Sequence, residues 1–169
     1  MTASKRVFVF GTSHRVQGSP HFPESVDDPG YTVRLNEIIS EQSIDGIFEE
    51  ASGYGQTTAS RLVESLSSIR YLDVDPHPDL RKLSGIVDTN GQPFPKNLSV
   101  EQMIEEQVQR EELWCKRIVE QDFKSGLVIC GFLHTLSVAF RLRVVGYGVM
   151  FDHYIPHDLL CSHDVKGVR

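Results

Sequence analysis

Two histidines, His14 and His134, each stand three residues after a glycine that closes a short apolar run. The runs are Val7-Phe8-Val9-Phe10-Gly11-Thr12-Ser13-His14 and Leu127-Val128-Ile129-Cys130-Gly131-Phe132-Leu133-His134. Between them, Ile44-Asp45-Gly46-Ile47-Phe48-Glu49-Glu50 ends in two carboxylates. Two imidazoles and one carboxylate are a common ligand set for catalytic zinc, with water in the open position, and the same donors suit manganese, cobalt or iron. A metal held this way acidifies that water toward a pKa of about 7 and polarises a carbonyl. His14, His134 and Glu50 are therefore candidate metal ligands, with Glu49 as the alternative to Glu50. Strand alternation sends the two glutamates to opposite sides, so only one can join the histidines. The other is open to three roles: a general base, a group behind the ligands, or a solvated or salt-bridged residue.

The spacing alone is a weak signal, because 13 glycines and 7 histidines yield about half a Gly-x-x-His match by chance in a chain this long. Local hydrogen bonding or helix capping would also explain either histidine. The weight comes from position: both motifs close a predicted buried strand at the same end, with a carboxylate closing the strand between. Arg110 and Glu111, on a helical stretch, are candidates to orient a substrate carboxylate or a metal ligand, against the plainer reading of a solvated helix face. Asp73, Asp75 and His77 close a third strand and are candidates for substrate contact or support of the ligands. His153, His157, Cys161 and His163 form a second possible metal cluster, but Pro156 interrupts any helix that would present His153 and His157 together. There is no phosphate loop, no Gly-x-Gly-x-x-Gly after a strand and no nucleophile elbow, so no nucleotide cofactor or serine nucleophile is expected.

The elements that must position these residues follow from periodicity. Runs of β-branched and aromatic residues ended by glycine read as strands buried on both faces. Five are expected: Val7–Phe10, Ile44–Glu50, Ile69–Asp75, Leu127–Gly131 and Tyr147–Phe151. Helical spacing links them at Val33, Leu35, Ile38 and Ile39, then at Leu62, Val63 and Leu66 behind a Thr57/Thr58 cap. A long helix runs from a Ser99 cap to about Phe123, and another spans Leu136 to Val145, ended by Gly146. Arg15 to Gly30 and Asp79 to Ser99 read as irregular excursions. Strand and helix alternating five times predicts a single-domain α/β fold over 1–160, a mostly parallel five-stranded sheet with helices on both faces, and a polar tail over 161–169. In the common order 3-2-1-4-5 the first and fourth strands are neighbours at the switch point, where ligands bind at the carboxyl ends.

A net charge of −6 argues against nucleic acid as partner, since phosphate recognition leans on clustered Lys and Arg. No apolar run is long enough to span a bilayer, and the first six residues lead into a strand rather than a signal core. A cytoplasmic protein without membrane contact is the expectation. Three cysteines, Cys115, Cys130 and Cys161, lack knuckle spacing; Cys115 and Cys130 read as small apolar core residues, and no structural disulfide is expected.

Phe10-Gly11-Thr12-Ser13-His14, Ile47-Phe48-Glu49-Glu50, the stretch Arg110 to Ile118, and Cys130-Gly131-Phe132-Leu133-His134 followed by Val145-Gly146-Tyr147 resemble, in that order, the TraB/Tiki, erythromycin-esterase-like and ChaN-like superfamily. The resemblance implies metal-dependent hydrolysis or ligand binding, and the Tiki branch is described as a metalloprotease. It implies a site of His14, Glu50 or Glu49, and His134, with Arg110 and Glu111 nearby. The expected function is thus metal-dependent hydrolysis of an ester or amide bond in a small-molecule or peptide substrate, with Zn, Mn, Co or Fe as cofactor. A non-catalytic module binding a small anion at helix amino termini in the same crevice is the alternative. A third reading is a structural subunit whose helix over 100–123 pairs with a partner, a homodimer included.

Overall fold

The computed structural model describes residues 5–18, 26–51, 56–75 and 99–156. Outside them lie His21, the turn at Gly53-Tyr54-Gly55, His77, the excursion from Asp79 as far as Leu98, and the tail with His157, Cys161 and His163.

Strand β1 (Arg6–Thr12) opens the chain and is followed by α1 (Pro29–Glu41), β2 (Gly46–Glu49), α2 (Thr58–Glu64) and β3 (Arg70–Asp73). The second half holds α3 (Val100–Val119), β4 (Ser125–Gly131), a 3₁₀ turn at Phe132–His134, α4 (Thr135–Val144) and β5 (Gly148–His153). All five strands are parallel, in the order β3-β2-β4-β1-β5. This α/β fold is the expected one, with one change. β1 and β4 are neighbours, but β4 rather than β1 sits at the centre, beside β2. Both strands are apolar on both faces, so burial pattern alone does not rank them.

Alternation along the two central strands sends their side chains to separate layers. Phe8, Phe10, Leu127 and Ile129 pack with Tyr31, Leu35 and Ile38 of α1 and Ala59 of α2. Val7, Val9, Val128 and Cys130 pack with Trp114 and Ile118 of α3 and Val138 and Leu142 of α4. Each of these large side chains contributes about 1.5–3 kcal/mol by leaving water. Truncating a fully buried one such as Leu127 would cost about 2–5 kcal/mol.

Three of the four helices start where the chain supplies side-chain caps. Asp28 accepts from the Tyr31 amide with Pro29 in the first turn, and Thr57 with Ser60 and Ser99 with Gln102 form capping boxes. Gly146, at φ +96°, ends α4 in a conformation that side chains rarely adopt. α3 stops at Val119, short of Phe123, with Lys116 and Arg117 in its last turn. No helix among the described residues is long and apolar enough to cross a membrane. Cys115 and Cys130 are buried and free, and burial pushes both thiols up, Cys115 to about 11.

The chain leaves β4 toward the α3/α4 layer, whereas from β1 and from β2 it leaves toward the α1/α2 layer. The carboxyl end of β4 is thus flanked on both sides by strands whose connections run the other way. That is where a crevice forms in an open parallel sheet.

Candidate functional site

Gly131, the last residue of β4, lies at the floor of that crevice, paired with Thr12 of β1. Glu50 follows β2 directly, and its amide donates to the Ile129 carbonyl at 2.8 Å, which carries its side chain over Gly131. The Gly131 amide donates to Glu50 Oε2 at 2.8 Å, and Arg110 Nη2 donates to Glu50 Oε1 at 2.9 Å. The Nε2 atoms of His14 and of His134 both stand 3.8 Å from that same Oε1. A Cβ on Gly131 would lie 3.2 Å from His14 Nε2, 3.5 Å from Glu50 Oε2 and 3.6 Å from His134 Cδ2. The absent side chain therefore gives the three groups a common space.

Both imidazoles are gripped at Nδ1. His134 Nδ1–H donates to Glu111 Oε1 at 2.8 Å, and that carboxylate also accepts from Ser137 Oγ at 2.6 Å and Arg141 Nε at 3.3 Å. Burial works to raise the Glu111 pKa, but the His134 and Ser137 hydrogen bonds and the Arg141 charge outweigh it and hold the carboxyl below its ordinary range. Burial works to lower the His134 pKa, and the Glu111 hydrogen bond and Glu50 charge outweigh that in turn, leaving it raised. His14 Nδ1–H donates to Gln17 Oε1, and Gln17 Nε2 donates to Glu49 Oε1 at 3.3 Å. Each ring is thus oriented with Nε2 toward Glu50, as the hydrogen-bond acceptors behind metal-ligating histidines orient them.

Of the two glutamates, Glu50 faces the crevice and Glu49 does not. Glu49 lies in the α1/α2 layer, fully buried, and accepts from Thr57 Oγ1, from Tyr71 OH at 2.7 Å and from Gln17. Burial pushes its carboxyl up to about 7 against those hydrogen bonds. The candidate general base therefore turns away from the histidines and is linked to His14 through Gln17.

Arg110 also departs from the role of substrate clamp. Its guanidinium pairs with Glu50 and with Asp75 Oδ2 at 2.8 Å, and lies 3.6 Å from Glu106 Oε1. Burial would lower its pKa, but these carboxylates hold it raised. With 4% of it exposed, its guanidinium is committed to these carboxylates. Asp75 accepts from Trp114 Nε1 at 3.0 Å, and the Trp114 ring meets His134 edge-on at 5.0 Å. Asp73 Oδ1 accepts from the amides of Ala51 and Asp75, shaping the backbone after β2 and β3. His153 belongs to β5 and packs over Gly11 and beside Phe132, outside the group around Gly131.

Among the described residues, four carboxylates, Glu50, Asp75, Glu106 and Glu111, meet two guanidinium groups, Arg110 and Arg141, around the crevice, a balance that favours a cation over an anion. The donor chemistry fits a divalent ion, and each imidazole stands somewhat farther from Glu50 than two ligands of one ion would. No three His, Cys, Asp or Glu side chains among the described residues are drawn tightly enough to hold an ion as they stand. Tetrahedral ligands at 2.0–2.1 Å from a metal are about 3.3 Å apart, roughly half an ångström less than the imidazole–Glu50 separations.

Several contributors were not singled out as site residues from the sequence: Gln17, Tyr71, Ser137 and Arg141, and Thr57, which reads there only as a helix cap. Gln17 and Ser137 each fall three residues after a candidate histidine, one turn onward, and that offset is the signal that would have found them.

No family model matches the chain, and neither a curated protein nor a solved structure matches it.

Proposed function

We propose that the protein is a metal-dependent hydrolase of an ester or amide bond, using His14, Glu50 and His134 to hold one divalent ion at the carboxyl end of β4. The observation that carries the proposal is the approach of two Nε2 atoms to one carboxylate oxygen, 3.8 Å from each, above a glycine. When bound, such an ion supplies water acidified toward a pKa of about 7 and a Lewis acid for the carbonyl.

The chain's own part is to prepare the donors. Glu111 and Gln17 accept the Nδ1 protons, which fixes the tautomer that leaves Nε2 as the ligating atom. Arg110 and the Gly131 amide hold the Glu50 carboxyl group aimed at the crevice. Asp75 and Glu106 hold Arg110 in turn. Glu49 supports Gln17 and takes no part in proton transfer to a substrate. The carboxylate excess weighs against the small-anion module, and so does the start of α1 at Pro29, well beyond His14: of the two helices expected to aim an amino terminus at the crevice, only α4 follows its histidine directly.

The test is hydrolysis of an ester and peptide panel by chelator-stripped protein reloaded with Zn²⁺, Mn²⁺, Co²⁺ or Fe²⁺. Turnover that returns with one of these ions in the wild type, and is lost in Glu50→Gln and His134→Ala with folding intact, is the expected result. Equal turnover in stripped and reloaded protein contradicts it.

A further inference from the structure

Helix α4 is apolar on both sides. Val138, Ala139 and Leu142 face the core, while Leu136, Phe140 and Val144 face outward and are 61%, 69% and 68% exposed. Ser137 and Arg141 turn to Glu111 on α3, so the outward apolar residues form a separate strip, the kind of exposed apolar surface that marks an interaction site. The three outward residues recur every fourth position and so form a single ridge along the helix.

The ridge stands between two grooves. One, of about 540 Å³, runs between α3 and α4 and is lined by Cys115, Lys116, Val119 and Val145. The other, of about 190 Å³, runs between α4 and β5 and is lined by Ala139, Arg143, Val149 and Phe151. A surface that carries a ridge and its receiving grooves side by side is self-complementary, which a two-fold contact between identical chains requires. Ridges of this every-fourth-residue kind interdigitate at a crossing of about −50°.

The area points the same way. Leu133 on the turn before α4, Val145 after it and Phe151 on the edge strand β5 extend the patch and are also more than half exposed. At roughly 100 Å² apiece these six side chains leave ~600 Å² of apolar surface in water. That is at the upper end of what a monomer shows as its largest patch, and with a polar rim it approaches the ~800 Å² each partner buries in a stable dimer. The rim carries both signs, with Glu120 bordering the first groove and Arg143 the second. Glu112, Lys116 and Arg141 also border the first groove, so the rim is mixed in sign and not dominated by one charge.

We infer that α4 is a dimer interface, on which a second copy of this chain lays its Leu136–Phe140–Val144 ridge into the grooves beside the first. The inference does not rest on the hydrolase reading, since none of these side chains takes part in the group around Gly131.

The test is sedimentation velocity of the full chain from low micromolar to several hundred micromolar. The expected species at the upper end has twice the 19.1 kDa of the chain. Phe140→Glu and Leu136→Arg, both at exposed positions, should stay folded by circular dichroism and sediment as monomers. Val33→Glu, exposed on α1 in the opposite layer, should remain a dimer. Hydrogen exchange of the wild type reads the same contact without substitution: protection of α4 should rise with concentration and that of α1 should not. A wild type that is monomeric at every concentration overturns the proposal, whether or not it then sediments with anionic vesicles. So does a dimer that survives both ridge variants, or α4 protection that ignores concentration.

Discussion

The two strand-Gly-x-x-His units of this chain share a local motif and differ in what grips it. His134 is followed at once by α4, which brings Ser137 and Arg141 around Glu111, so its imidazole is buried and backed by an ionised carboxylate. His14 is followed by a turn, its side chain is 35% exposed, and its Nδ1 is backed by the neutral amide of Gln17. Glu50 stands between the two arms at equal distance. The lesson is that the motif places an imidazole at the strand end, while the element that comes next decides whether it is a stiff, charge-backed donor or an open, neutral-backed one.

The largest effect should come from the group both arms depend on. Arg110→Met leaves Glu50, Asp75 and Glu106 buried without their counter-ion, and breaking a buried pair this way costs about 3–5 kcal/mol. Urea denaturation near pH 7 measures it, and a loss under about 1 kcal/mol would mean that Arg110 does not organise the site.

Next is the charge behind Gln17. The Glu49 carboxyl titrates at about 7 in the fold against an ordinary 4.5, so the folded chain holds this proton more tightly than the unfolded one. Stability from this group is therefore highest below pH 4.5, falls as pH rises to about 7, and is flat above. Glu49→Gln removes that dependence. Its stability relative to the wild type should rise by on the order of 3 kcal/mol across that window, and a difference that does not change with pH would contradict the assignment.

The arms themselves are separated by Glu111→Gln and Gln17→Ala, read as Zn²⁺ affinity by titration calorimetry. Loss of a group that orients a ligand typically costs about 10–100-fold in affinity. The charged arm should sit near the upper end of that range and the neutral arm near the lower. Equal losses, or a larger loss for Gln17→Ala, would remove the distinction drawn above.

Smallest in stability is Gly131→Ala. Its Cβ would meet only side-chain atoms, at 3.2 Å or more, so unfolding should shift by no more than about 1 kcal/mol. Zn²⁺ affinity should fall nonetheless, because the methyl group enters the space the three donors share. Unchanged affinity would show that this space is not the site.

Much of this arrangement is legible in the chain. The apolar runs at Val7–Phe10 and Leu127–Cys130, the caps at Thr57 and Ser99 and the stop at Gly146 act through nearby residues, so local spacing reports them. The order of β1 and β4 is not local. Both are buried on both faces, and the exchange that puts β4 beside β2 changes no residue's burial pattern. The choice of Glu50 over Glu49 depends on the pleat of a four-residue strand, which alternation states only as an either/or. Arg110 reads as a surface residue of a helix because its partners, Glu50 and Asp75, are 60 and 35 positions away. The bare outer side of α4 is hidden for the opposite reason: Leu136, Phe140 and Val144 look like core until the sheet shows which side is already covered.

The measurement that tests the central claim most directly is elemental analysis of the protein purified without chelator or histidine tag, beside the His14→Ala/His134→Ala double variant. The account predicts near-stoichiometric Zn, Mn, Co or Fe in the wild type and none in a double variant that folds normally. A wild type without metal that takes up none on addition, or a double variant that retains it, would contradict the account.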